Sequence, residues 1–312
     1  MQTPLTIWCV TDGKPGHRSQ MLGLVEAMAE RAECQVGWLT AGRDTLAEAA
    51  ALKQRPALIL CTGHRTHWPA IRLKWRFGGM LVALLKPSLP LRLFDLCVVP
   101  EHDGARVHRR ILRTCGTLND IRPAEESADP GRGLILIGGP SKHHGWDDRQ
   151  MLDQIARLRD ALPALRWTLT TSRRTPASFV DVARQLADER LRLVPVEDTD
   201  REWLRDHYAG CGVIWVSEDS ASMVYEALTS GARVGILPVP RQRESRVSRG
   251  LDALLRDGWV TGLADLCRTG HMGRQRRGLR EADRVADYLY YCIRRQDSTV
   301  SHESPPGVAL PK

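Results

Sequence analysis

The stretch Leu134-Ile135-Leu136-Ile137-Gly138-Gly139-Pro140-Ser141-Lys142 runs four aliphatic residues into a turn with two adjacent glycines. A short apolar run of this kind reads as a strand covered on both faces. A Gly turn that opens a helical pattern, here from about Asp147, reads as the joint of a βα unit. The same grammar stands at the amino end, where Leu5 to Val10 leads into Thr11-Asp12-Gly13-Lys14-Pro15-Gly16-His17 and a helix from about His17. A chain of 312 residues that starts this pattern twice is predicted to hold two α/β domains in series.

Outward from the first joint, β-rich runs alternate with helical patterns. Cys34 to Leu39, a helix from about Asp44, Ala57 to Cys61 and a helix from about His64 are followed by strands at Met80 to Leu85 and Phe94 to Val99, around the turn-rich Lys86-Pro87-Ser88-Leu89-Pro90. Such alternation predicts a parallel sheet with helices on both faces. Between Arg122 and Gly133 the apolar periodicity is lost and two prolines appear, which marks a linker. Beyond it the scheme repeats: Leu134 to Ile137, Trp167 to Thr170, Leu191 to Val194, Val213 to Val216 and Val234 to Leu237 as strands, with helices from about Asp147, Ala177 and Ala221. A last helical stretch, about Leu279 to Arg295, precedes a polar, Pro-rich tail. The predicted organisation is a first domain over 1–122, a linker over 123–132, a second domain over 133–296 and a disordered tail over 297–312.

A hydrophobic content of 42% with 26% charge fits a globular protein, and no uninterrupted apolar run is long enough to span a bilayer. The amino terminus enters a strand directly, without a secretory pattern, so a cytoplasmic location is expected. The eight cysteines are scattered rather than paired as C-x-x-C and read as reduced core residues; no metal site is expected. A net charge of +8 and a pI near 9.3 favour anionic partners: phosphorylated small molecules, peripheral contact with an anionic membrane, or nucleic acid. Aromatic residues make up only 5% and the arginines are spread along the chain, so no stacking platform is read and nucleic acid is not expected.

The chemistry-bearing residues gather at strand ends. In the first turn, Gly13 and Gly16 allow close approach to a helix amino terminus, whose free N–H groups favour an anion or a polar substrate group; the same glycines also suit tight strand-to-helix packing. His17 there is a candidate general base on an acceptor hydroxyl, because imidazole exchanges a proton near neutral pH. In the second turn, Gly138, Gly139, Ser141 and Lys142 offer close backbone approach, a hydroxyl and a cation for a pyrophosphate. Adjacent His143 and His144 point apart and lack a third ligand, against a metal. Ser172 and Arg173, in the loop Thr170 to Pro176, are candidate diphosphate or base contacts on the same rim. Ser220 and Ser222 stand at a helix start, and Glu226 lies within that helix, five residues before Gly231, where a carboxylate suits ribose hydroxyls. Gly63-His64-Arg65-Thr66-His67 and Pro100-Glu101-His102-Asp103 follow first-domain strands and are read as acceptor contacts or helix caps. Arg72-Leu73-Lys74-Trp75-Arg76 reads as a helix end with favourable cations or as a basic membrane-contact patch.

The run Ser220-Ala221-Ser222-Met223-Val224-Tyr225-Glu226-Ala227-Leu228-Thr229-Ser230-Gly231, followed by a hydrophobic strand and proline, resembles the donor-nucleotide segment of GT-B glycosyltransferases, and especially that of the peptidoglycan N-acetylglucosaminyltransferase. Gly16-His17 is similar to that enzyme's Gly-rich loop ending in a proposed base, although Asp12, Lys14 and Pro15 depart from it. Taken together, Thr11 to His17, Gly63 to Thr66, Phe94 to Leu96, Gly138 to Lys142 and Glu218 to Met223 resemble the bacterial and plant family named for a plant mitochondrial-fission protein. The resemblance covers the chain except linker and tail.

This resemblance implies two Rossmann-like doubly wound α/β domains facing a cleft, of GT-B type. It implies a nucleotide-diphosphate sugar as substrate, with His17 as base, Glu226 on the ribose and Gly138, Gly139, Ser141 and Lys142 on the diphosphate; no cofactor is expected. Metal-independent glycosyl transfer is the leading expectation. The family's plant founder, implicated in recruiting a membrane-remodelling GTPase, implies a non-catalytic adaptor as the alternative, and a nucleotide-sugar epimerase of the same fold is a second one.

Overall fold

The computed structural model describes residues 4–104, 107–123, 128–273 and 279–297; the expected tail over 298–312 and linker residues 124–127 lie outside them. The chain divides into two compact units. The first runs to Asp120 and resumes at Arg280; the second is Ile121–Leu279.

In the first unit the order is β1 (Leu5–Thr11), α1 (Pro15–Ala29), β2 (Cys34–Thr40), α2 (Thr45–Ala51), β3 (Leu58–Thr62), α3 (His64–Phe77), β4 (Met80–Leu84), β5 (Leu96–Pro100) and β6 (Ile111–Thr114). All six strands are parallel, in spatial order β2-β1-β3-β4-β5-β6. Strand alternation sorts the side chains. Ile7, Cys9, Leu58, Leu60, Val82, Leu84, Leu96 and Val98 share one core with Met21, Leu24 and Met28 of α1. Trp8, Val10, Ile59, Cys61, Leu81, Ala83, Cys97 and Val99 share the other with Ala49 of α2 and Ala70, Ile71 and Leu73 of α3. Both faces are covered, which is why these strands read as continuous apolar runs. β6 has only four residues, one of them Arg113, and lacked a sequence signal.

The second unit follows as β7 (Asp129–Leu136), α4 (Asp148–Ala161), β8 (Arg166–Thr170), α5 (Ala177–Gln185), β9 (Leu191–Val194), α6 (Arg201–Gly210), β10 (Cys211–Ser217), α7 (Ala221–Ser230), β11 (Arg233–Leu237), α8 (Arg246–Arg256), β12 (Thr261–Gly262) and α9 (Leu263–Thr269). Its strands are also parallel, ordered β12-β11-β10-β7-β8-β9. The expected pair of doubly wound, Rossmann-like sheets is present. Strand β7 begins at Asp129, inside the segment read as linker: its first four residues, Asp129-Pro130-Gly131-Arg132, are not buried and carry no apolar run, although Asp129 already pairs with Cys211 of β10.

The final helix, α10 (Glu281–Asp297), was expected to close the second domain. It packs on the first instead: Val285, Ala286, Leu289 and Ile293 enter the core of Ile7 and Leu24. Arg31 Nε donates to Asp287 Oδ1 at 2.6 Å, and the buried Glu281 accepts from the Cys115 amide at 3.0 Å. An amphipathic stripe goes to whichever sheet face is uncovered, and each buried Val, Leu or Ile contributes about 1.5–3 kcal/mol there.

All eight cysteines are free, and Cys9, Cys61, Cys97 and Cys211 are buried. Burial pushes the Cys9 and Cys97 thiols up to about 12 and Cys211 up to about 11, so they stay protonated at neutral pH. Cys267, read as a core residue, is exposed. Among the described residues no helix is long and apolar enough to cross a membrane.

Candidate functional site

In each sheet the strand order reverses at one place, and there the loops leaving two adjacent carboxyl ends part to opposite faces and leave room for a ligand. In the first unit that place is β1/β3, since α1 and α3 lie on opposite faces. In the second it is β7/β10.

The β1 loop carries Asp12, whose side chain is only 2% exposed. Its Oδ1 lies 2.9 Å from Nδ1 of His17, in the first turn of α1. An ionised carboxylate only accepts hydrogen bonds, so Nδ1 carries a proton toward Asp12, and whenever the ring is uncharged its lone pair lies on Nε2. Burial pushes the Asp12 pKa upward, but hydrogen bonds from His17 and the Lys14 amide, with the nearby charges of both residues, hold it below the ordinary carboxylate value. Lys14 Nζ stands 3.7 Å from Oδ2. Opposite, the β3 loop supplies Gly63 at φ 86°, and a Cβ there would come within 2.5 Å of His17 Cε1 and 2.8 Å of its Nδ1. Gly63 is therefore required twice, by its backbone conformation and by the ring beside it.

Gly13 needs its freedom for the turn, at φ 80°. Gly16 does not. It sits in α1 without positive φ, and a Cβ would meet nothing within 4 Å. A glycine in a helix costs about 0.5–1 kcal/mol relative to alanine. Gly16→Ala is thus expected to raise unfolding stability by about that amount in urea titrations; an unchanged or lowered midpoint would show that the backbone depends on glycine after all.

Of the other residues expected at this rim, Thr66 and His67 are buried while His64 and Arg65 are exposed. Thr66 Oγ1 donates to the Gly63 carbonyl at 2.8 Å, closing the first turn of α3. His67 lies 3.2 Å from Ser88 Oγ through Nδ1, with its ring edge against Phe94. Glu101 pairs with Arg113 at 3.8 Å, across the ends of β5 and β6.

At β7/β10 the two glycines serve protein contacts. The Gly138 amide donates to Ser217 Oγ at 2.7 Å and the Gly139 amide to Asp219 Oδ2 at 2.9 Å, so neither amide is free for a pyrophosphate. A Cβ on Gly138 would fall 2.0 Å from Asp219 Oδ2, and one on Gly139 would fall 2.2 Å from the Arg174 carbonyl oxygen. Arg174, not its expected neighbour Arg173, ties the loops together: it donates to Gly139 O at 2.6 Å, Asp219 Oδ2 at 2.7 Å and Ser220 Oγ at 2.9 Å. Ser172 Oγ donates to the Gly138 carbonyl at 2.9 Å. The Asp219 carboxylate is wholly buried, and its Oδ1 has no hydrogen-bond partner among the described residues.

The remaining expected residues divide. Ser141 Oγ accepts from the His143 and His144 amides and so closes its own turn. Lys142, Arg173 and Ser222 are exposed and unpaired among the described residues. Glu226 faces α6, where Arg201 donates to Oε1 at 3.2 Å and Tyr208 to Oε2 at 2.9 Å. The first turn of α7 has no side-chain cap, which leaves its amides uncapped beside Arg174. Among the described residues no three His, Cys, Asp or Glu side chains group as metal ligands would.

Burial lowers the pKa of His67, with the charges of His64 and His17 adding to it, and burial likewise outweighs nearby carboxylates at His144. A folded-state pKa below the unfolded value makes the unfolded chain bind more protons. The stability these residues contribute is therefore full above about pH 6.5 and falls as the pH drops through that value. The urea midpoint is expected to be lower at pH 5.5 than at pH 7.5, and His67→Gln is expected to shrink the difference.

Solved structures with the same architecture include a Listeria monocytogenes protein assigned as a UDP-N-acetylglucosamine 2-epimerase, with a TM-score of 0.62 at 13% identity, covering 96% of this chain and 98% of that one. Acinetobacter baumannii MurG aligns with a TM-score of 0.53 at 14% identity over 92% of this chain and 100% of its own. The S. aureus MnaA structure with UDP gives 0.51 at 13% identity, covering 96% and 100%. The fold is GT-B. An uncharacterized Rickettsia prowazekii protein, RP120, is 25% identical over 239 residues, which make up 60% of this chain and 66% of that protein. The family model described as mitochondrial fission ELM1 matches residues 15–291, and the chain belongs to that family.

Proposed function

We propose that the protein transfers a sugar from a nucleoside-diphosphate sugar to a hydroxyl acceptor, with the base in the first unit and the donor held by the second. The observation that carries this reading is the Asp12–His17 pair at β1/β3, with Gly63 clearing space for the ring. His17 Nε2 takes the acceptor's hydroxyl proton as its oxygen bonds to the anomeric carbon. The bond from that carbon to the phosphate oxygen breaks, and the nucleoside diphosphate leaves with the electron pair. Asp12 positions the ring and stabilises the imidazolium. With the Gly138 and Gly139 amides engaged elsewhere, the leaving diphosphate falls to the uncapped amides of α7 and to the cations Arg174, Lys142 and Arg173. Glu226, oriented by Arg201 and Tyr208, is the carboxylate in α7 assigned to the ribose hydroxyls, since an ionised carboxylate accepts hydrogen bonds from such a pair. This chemistry calls for neither metal nor cofactor. The fold shared with UDP-bound MnaA supports a nucleotide-sugar ligand.

A panel of nucleoside-diphosphate sugars in thermal unfolding is the test. A donor at a hundredfold excess over its Kd adds about 2.7 kcal/mol of stability. Stabilisation by one donor, followed by transfer to added acceptors, supports the reading. Conversion of that donor to an epimer without acceptor would replace it with epimerisation, and no shift with any donor would replace it with a non-catalytic adaptor.

A further inference from the structure

Helix α3 contains Arg65, Arg72, Lys74 and Arg76 and no acidic residue. Its inner face is buried through Thr66, His67, Ala70, Ile71 and Leu73, and Lys74 turns aside to Asp95 at 2.5 Å. Arg65, Trp68, Arg72, Trp75 and Arg76 all point outward, and their spacing places them on one stripe. Trp68 is 52% and Trp75 64% exposed, and their rings meet edge to face at 5.5 Å. Among the described residues no carboxylate pairs with the three arginines.

Neither indole belongs to the cores described above, and the three guanidinium groups have no carboxylate partner among the described residues, Arg76 lying over the Phe77 ring at 5.5 Å. Indole favours the boundary between water and hydrocarbon, and arginine favours phosphate. We propose that this outer face of α3 binds the surface of an anionic lipid bilayer, Trp68 and Trp75 entering the headgroup layer while Arg65, Arg72 and Arg76 meet lipid phosphates. Nucleic acid fits less well, because an edge-to-face pair on a convex helix offers no row of open ring faces on which successive bases could stack. A second copy fits less well too, since an isologous contact would set arginine stripe against arginine stripe. The inference does not depend on sugar transfer.

The full chain is mixed with vesicles of phosphatidylglycerol and phosphatidylcholine, and separately with pure phosphatidylcholine vesicles, and partition is measured by sedimentation. Partition to the anionic vesicles, weakening as salt rises, is expected. Each arginine near such a surface is worth about fivefold, so Arg72→Gln with Arg76→Gln is expected to weaken partition by about 25-fold. Brominated lipid is expected to quench fluorescence in the wild type and much less in Trp68→Phe with Trp75→Phe, at unchanged Tm. Equal partition of wild type and both variants, equal binding to pure phosphatidylcholine, displacement from vesicles by a mixed-sequence oligonucleotide, or a dimer that the Trp variants dissolve would each overturn the proposal.

Discussion

His17→Gln is expected to lower the rate of sugar transfer by about 10²- to 10⁴-fold while leaving the affinity for donor within a few-fold of wild type. The split follows from placement: the imidazole stands at β1/β3 in one unit, whereas the diphosphate-binding groups proposed here belong to the other. Asp12→Asn tests the same device from behind. An amide presents both a donor and an acceptor, so it no longer dictates which ring nitrogen of His17 is protonated, and part of the rate is expected to be lost with the fold intact. Gly63→Ala attacks it from the front, because its methyl group would have to occupy space 2.5 Å from His17 Cε1 at a φ of 86°. It is expected to approach His17→Gln in rate and to cost stability as well. Initial rates with a saturating donor, together with calorimetric donor binding, separate these effects. Transfer by His17→Gln at the wild-type rate would remove the imidazole from the mechanism.

Gly139→Ala is expected to destabilise the protein by about 3 kcal/mol or more, among the larger effects a single methyl group can produce. A Cβ at this position would lie 2.2 Å from Arg174 O, 2.5 Å from Arg174 C and 2.9 Å from Thr175 N. All three are backbone atoms, so no side chain can swing away, and the strand end or the Ser172 to Thr175 loop must shift. That shift would also pull Arg174 from the buried Asp219, leaving a carboxylate with less compensation. The comparison is with Gly16→Ala, the same chemical change, where nothing lies within 4 Å. Urea unfolding of the two variants side by side is the measurement. A Gly139→Ala midpoint equal to wild type would mean that the approach of the Arg174 backbone is not what requires glycine there.

Much of the fold could be read before any coordinates. The strands at Leu191–Val194 and Met80–Leu84 and the helix opening at Ala221 depend on neighbours within a turn or two, and their signals of apolar run, small polar start and terminal glycine are local. Elements with weak signals were passed over, among them β6, α6, α8, α9 and the two-residue β12. The site was legible as a set of loops, since a parallel sheet sends every βα turn to one rim.

Roles inside those loops were not legible, because they depend on partners distant in sequence. Asp12 was noted only as a departure from a relative's loop, and its bond to His17 depends on how α1 docks. Arg173 was read as a ligand contact, whereas the structural tie made by its neighbour Arg174 to Asp219, 45 residues away in the chain, carried no signal in the sequence. The assignment of α10 had the same cause. The amino-acid sequence by itself determined the alternation of strand and helix, and with it two sheets with chemistry at their carboxyl ends, because hydrophobic period and turn residues act locally. Only the tertiary structure decided which sheet the last helix covers, which amides are already occupied and which carboxylate holds the histidine, because these are settled by long-range competition for buried surface and for hydrogen-bond partners.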